Sequence, residues 1–168
     1  TACSVNRSIA SVRFERNAER GVIDTKFDIV SGEDFPSDAP AFRGKDFIYG
    51  WIQGRGLESL AGHARYFSET GDLFRKSRVE HVLRAVLSTM EKLRARNNGR
   101  IGFALSPEGK PLFKRTSDRA NFSDLFYAKG LFAAACYEKN SSLEAEAERM
   151  FRFVLEDIDR EQFHTDQH

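Results

Sequence analysis

Cysteine is scarce: the 168 residues contain two, Cys3 and Cys136, far apart and at no zinc-ligand or CxxC spacing. Neither a disulfide scaffold nor a structural zinc site is expected from them. An excess of one charge is also missing. Lys and Arg total 26 against 25 Asp and Glu, a formal charge of +1, so no global field exists to hold nucleic acid or another polyanion. No run of 18 apolar residues occurs, and no membrane span is expected. The start lacks the basic and apolar segments of a secretion signal, which favours a cytoplasmic protein. Thr1-Ala2-Cys3 fits the tail of a lipoprotein cleavage site, so a lipidated or periplasmic protein is the alternative. What is abundant is phenylalanine, 15 residues within a chain that is 40% hydrophobic and 30% charged. That is too aromatic for a disordered segment and too charged for a membrane protein. The length suits one domain spanning 1–168.

Periodicity places the elements. Residues 6–20 read as the end of a helix stopped by Gly21, Val22 to Ile29 as a short strand or extended piece, and Ser31 to Arg43, with Pro36 and Pro40, as a loop. Asp46 to Phe67 is helical and apolar on two sides: Ile48, Trp51, Ile52, Arg55, Ser59, Gly62 and Tyr66 share one face, and Leu57, Leu60, Ala61, Ala64 and Phe67 the other. Such a helix belongs inside. Leu73 to Arg96 carries one stripe, Val79, Val82, Leu83, Val86, Met90 and Leu93, against a charged back, as an outer helix does.

Asn97-Asn98-Gly99 ends that helix. Ile101 to Leu105 and Leu112 to Thr116, joined through Ser106-Pro107-Glu108-Gly109-Lys110-Pro111, predict a small β-hairpin. Phe122 to Tyr137 is again apolar nearly all round, and Leu143 to Ile158 again shows one stripe, Leu143, Ala147, Met150, Phe151, Val154 and Ile158. An aromatic residue, a polar turn and a leucine recur with a shift of 70 residues, at Phe67 to Leu73 and Tyr137 to Leu143. Inner and outer helices thus alternate in long hairpins, a pattern that suits an all-α (α/α) toroid better than a solenoid with a repeat of about 34 residues.

Asp46-Phe47-Ile48-Tyr49-Gly50-Trp51-Ile52-Gln53-Gly54-Arg55 resembles the W-[LI]-Q-G-R segment of the N-acylglucosamine 2-epimerase family, also called renin-binding proteins. Gly102 to Pro111 resembles that family's hairpin with a D-G-[RK]-P type turn. Phe122-Ser123-Asp124-Leu125-Phe126-Tyr127 resembles its F-S-E-x-F-Y helix start, with Asp in place of Glu. The three follow in family order, and the resemblance covers about residues 14 to 160. It implies the N-terminal portion of an (α/α)6 barrel, with a β-hairpin insertion, acting on a reducing sugar. A full ring needs twelve helices, and two hairpins plus part of another are expected here. The remaining C-terminal half, or a second copy in a homodimer, would cover the inner helices. The family's two base histidines lie on later inner helices and match no position in this sequence, so His63, His81, His164 and His168 take no catalytic role.

Within the resemblance, Arg55 is the catalytic candidate. A guanidinium that cannot lose its charge would stabilise the enediolate formed when the C2 proton leaves an open-chain sugar; the alternative is a structural ion pair with a carboxylate of a neighbouring helix. Trp51, one turn earlier, either stacks on a sugar ring or is core. Asp124 and Tyr127 share a helix face and are expected to hydrogen-bond sugar hydroxyls, with helix capping as the other role for Asp124. The implied reaction is epimerisation of an N-acyl-hexosamine or related free sugar at C2, without metal or redox cofactor. Aldose-ketose isomerisation and cellobiose-type 2-epimerisation are alternatives on the same fold. A glycoside hydrolase with paired carboxylates, for which Asp124 and Glu58 are available, is another. A non-catalytic helical domain that binds carbohydrate or protein is the third.

Overall fold

Three of the four long helices begin where a short polar side chain accepts from an otherwise unpaired amide. The computed structural model describes residues 14–113 and 119–165. Residues 14–20 form α1, followed by α2 (Gly50–Glu69), α3 (Leu73–Arg96), α4 (Phe122–Glu138) and α5 (Ser141–Asp159). Asp72 caps α3 by accepting from Arg75 N at 3.0 Å, and Asn140 caps α5 by accepting from Leu143 N at 3.2 Å. α4 carries a reciprocal cap between Asn121 and Asp124. These caps satisfy first-turn donors that no helical carbonyl reaches.

α2 has no side-chain cap. Its start is tied down by a two-stranded antiparallel sheet, β1 (Ile48–Tyr49) on β2 (Ala104–Leu105), with Ile48 opposite Leu105, and by Gly50 N donating to Phe103 O at 2.9 Å. The helix therefore begins at Gly50, not at Asp46 as the periodicity suggested, because Ile48 and Tyr49 spend their backbone groups on the sheet. The expected hairpin is corrected likewise: β2 pairs with β1. The chain does reverse at Ser106–Lys110, with Ser106 N on Lys110 O at 2.8 Å and Leu112 N on Ala104 O at 2.9 Å, but only an isolated bridge, Leu105 to Pro111, follows. Residues 114–116 of the expected return strand lie outside the described residues. Val22 to Ile29 forms no strand among the described residues; the chain bends at Val22 and Phe27 and enters a turn at Ile29.

α2 packs on both α3 and α4, and α5 packs on α4. The α3 stripe is buried as the pattern required: Val79, Val82, Leu83, Val86, Met90 and Leu93. So are Ala147, Met150 and Val154 of α5, whereas Phe151 and Ile158 of the same expected stripe stay exposed. The fold is all-α with a small sheet, built as two helical hairpins laid side by side. Between α2 and α4 the contact is backbone to backbone. A Cβ on Gly130 would sit 2.7 Å from the Gly54 carbonyl carbon, and one on Gly54 would sit 2.5 Å from Tyr127 N. Only glycine at both positions allows this approach.

This crossing corrects the expectation that α2 is buried all round. Gly50, Gln53, Gly54, Leu57, Ala61 and Ala64 face inward, while Arg55, Ser59, Gly62 and Tyr66 are exposed. The last described segment returns to α4: His164 N donates to Ala120 O at 2.9 Å, and the Phe163 ring meets Phe122 edge-on at 5.6 Å. Cys3 and His168 lie outside the described residues. Among the described residues no helix is long and apolar enough to cross a membrane.

Candidate functional site on the open face of α2 and α4

The segment Trp51-Ile52-Gln53-Gly54-Arg55 is one and a half helical turns, so its side chains must point in different directions. Gln53 and Gly54 turn inward. The Gln53 side chain is fully buried and holds the extended segment before α2: its Oε1 accepts from Ile23 N at 2.7 Å, and its Nε2 donates to Ile23 O at 2.9 Å and to Tyr49 O at 3.1 Å. A buried amide with all these partners is satisfied and fixes what it binds. Gly54 supplies the crossing with α4. Together they anchor the turn from which Trp51 and Arg55 project outward.

The Arg55 guanidinium lies 5.9 Å from the Trp51 ring centre and 5.7 Å from that of Phe126 on α4. Arg55 is exposed and makes no ion pair among the described residues, so the structural salt bridge considered for it is not formed here. Ring faces attract the delocalised cation while leaving its N–H edges able to fork onto an anionic or hydroxyl-rich group. One turn further along, Glu58 and Lys129 join the two helices at 3.1 Å, which commits the nearest carboxylate.

The rings continue on both sides. Trp51 is 6.2 Å from Phe126 and 6.0 Å from Tyr49, and Phe126 stacks on Phe122 at 5.9 Å. Burial raises the Tyr49 hydroxyl above its ordinary pKa, so the ring presents a neutral phenol. Phe122 and Phe126, missed as site residues from sequence, follow the i, i+4 spacing that puts two side chains on one helix face. Gln53 and Gly54 were legible only as part of a motif, without their separate tasks.

Asp124 and Tyr127 are not brought to this face, which corrects the expectation that they bind a sugar. Asp124 is buried at the head of α4, its two oxygens accepting from Ile101 N at 3.2 Å and Asn121 N at 3.3 Å; it caps the helix and ties down the loop before it. Tyr127 is fully buried, and its hydroxyl donates to Glu91 of α3 at 2.8 Å. Burial first, then the Glu91 carboxylate, holds the Tyr127 pKa well above its ordinary value. Glu91 also pairs with Arg94 at 3.0 Å, which closes the polar link between α3 and α4.

No histidine among the described residues adjoins Arg55. His63 lies on α2, its Nδ1 2.7 Å from Ser59 O, while His81 and His164 are exposed elsewhere. Among the described residues no group of three or more His, Cys, Asp or Glu side chains converges as a metal-ligand set. Family models, curated proteins and solved structures give no match to the chain.

Proposed function

We propose that the open face of α2 and α4 is the substrate side of a sugar isomerase of the (α/α)6 barrel type, acting on a free N-acyl-hexosamine or a related reducing sugar. The observation that carries this is Arg55, an uncommitted guanidinium held between the Trp51 and Phe126 rings on a face shared by two packed helices. Aromatic faces suit the apolar C–H faces of a sugar ring. A fixed cation beside them suits the charge that develops when a proton leaves C2 of the open-chain form. The proton itself must move to bases that no described residue places beside Arg55, and the reading assigns those to helices that complete the ring. Proton return to C2 gives epimerisation, and return to C1 gives aldose-ketose isomerisation. A paired-carboxylate hydrolase is disfavoured, since Asp124 is spent on its cap and Glu58 on Lys129.

Trp51 is the single tryptophan in the chain, so its fluorescence reports this face directly. Titration with N-acetylmannosamine, N-acetylglucosamine, mannose, fructose and cellobiose should shift its emission for at least one sugar, and Arg55→Ala should weaken that sugar's binding about tenfold, worth about 1.4 kcal/mol. Proton NMR in D2O then reads deuterium entry at C2 or C1. Binding without exchange is the result expected if the bases lie on helices that complete the ring, and exchange by this chain alone would overturn that assignment. No effect of any sugar on Trp51 rejects the site.

A further inference from the structure

A cavity of about 520 Å³ opens beside β1, within the size range of small-molecule sites. Its lining includes Phe35, Phe47 and Leu112 together with Ser37 and the cations Arg43 and Lys45. Charge pairing around it is uneven. Asp34 is taken by Arg16 at 2.8 Å, Asp46 reaches Arg20 at 3.9 Å, and Lys26 is taken by Asp24 at 2.7 Å. Among the described residues Arg43 and Lys45 have no acidic partner, so the lining keeps two uncompensated positive charges.

The Arg43 side chain is held in place. The Arg43 guanidinium lies 5.3 Å from the Phe35 ring centre and 5.9 Å from that of Phe42, which occupies its faces and leaves the N–H fork available. The Lys45 backbone is fixed by Arg20 Nη2 donating to its carbonyl at 2.8 Å. An apolar wall with two unpaired cations in its lining suits a ligand that has a carbon face and an anionic end. We propose that this cavity binds an anionic saccharide, a sugar acid or a sugar phosphate, with its carboxylate or phosphate on Arg43 and Lys45 and its ring against Phe35 and Phe47. The site is separate from Arg55, and it stands whether or not the open face of α2 and α4 is an isomerase site.

The test is calorimetric titration of the full chain with glucuronate, glucose 6-phosphate, inorganic phosphate and glucose. The two anionic sugars should bind at least tenfold more tightly than glucose, and the stronger of them identifies the anionic group. Inorganic phosphate should bind more weakly than glucose 6-phosphate. Arg43→Gln and Lys45→Gln should each lower the affinity for the anionic sugars several-fold, while Arg65→Gln, at an exposed cation of α2 outside the cavity lining, should leave it unchanged. Equal binding of glucose, parent-like affinity in Arg43→Gln and Lys45→Gln, or an equal loss in Arg65→Gln would each overturn the proposal.

Discussion

Replacing Gly130 by alanine tests the backbone contact on which the open face depends. In an exposed helix the change should stabilise, since alanine is better than glycine in a helix interior by about 1 kcal/mol. Here the new methyl group would lie 2.7 Å from the Gly54 carbonyl carbon and 2.9 Å from its Cα, closer still to the carbonyl oxygen. Ordinary carbon contacts are about 3.5 Å or more, so α2 and α4 would have to part by about 1 Å. No flexible side chain is available to yield, because everything in the way is main chain. Overpacking of this kind costs about 1–3 kcal/mol and occasionally more, and it outweighs the propensity gain. A net loss of about 1–2 kcal/mol is expected, a fall in Tm of about 2–8 °C for a domain of this size. Gly62, on the same helix as Gly54 but with nothing within 4 Å of its added Cβ, is the matched control. Gly62→Ala should raise stability by about 0.5–1 kcal/mol. Urea denaturation of the two variants beside the parent chain gives both numbers. Gly130→Ala as stable as the parent would refute the close crossing and, with it, the placement of Phe126 against Arg55.

Two further outcomes follow from the polar contacts. Gln53→Leu keeps the volume but leaves the Ile23 N–H and C=O without their partner, at about 2–4 kcal/mol. Hydrogen exchange should show the Ile23 amide losing its protection, and unchanged protection would remove Gln53 from its anchoring role. The Tyr137 hydroxyl donates to Glu80 at 2.6 Å, and burial first, then the Glu80 carboxylate, pushes its pKa up to about 12. A folded pKa above the unfolded value near 10 gives stability that is present below pH 10 and lost as the pH rises towards 12. With screening at this half-buried site the loss should be about 1 kcal/mol. Tyr137→Phe should flatten the stability profile over that interval, and an identical slope in the variant would show that the pair is not coupled.

The outer helices were the most legible elements in the sequence. A single stripe such as Val79 to Leu93 has one place to go, and the structure buries it. The inner helices were harder to read because periodicity treats glycine as neutral. At Gly54 and Gly130 the absence of a side chain is itself the packing signal, and it turned a helix expected to be buried on all sides into one with an open face. Asp124 and Tyr127 were misplaced for a related reason. Spacing places both on one face of α4 without saying which neighbour that face meets, and it meets α3 and the loop at Ile101. Ile48 and Tyr49 were assigned to the helix because their strand partners, Leu105 and Ala104, lie more than fifty residues away. Arg55 and Trp51 were correctly set side by side, since one turn of one helix fixes that relation locally. The rings of Phe122 and Phe126 that complete their surroundings come from a helix about 70 residues further on, a distance that local patterning does not span.

The glycine crossing also sets an order of events during synthesis. α2 ends at Glu69, yet its closest partner, α4, is complete only at Glu138, so roughly 70 residues must follow before the seam can close. At about 5–20 residues per second that is an interval of several seconds. Throughout it, the inner side of α2 that carries Leu57, Ala61 and Ala64 lacks α4, and a contact of such sequence separation forms late in folding as well. A nascent chain stalled anywhere between the two hairpins would therefore present the bare inner side of α2 to whatever holds unfinished chains, and its release would wait on the arrival of Gly130.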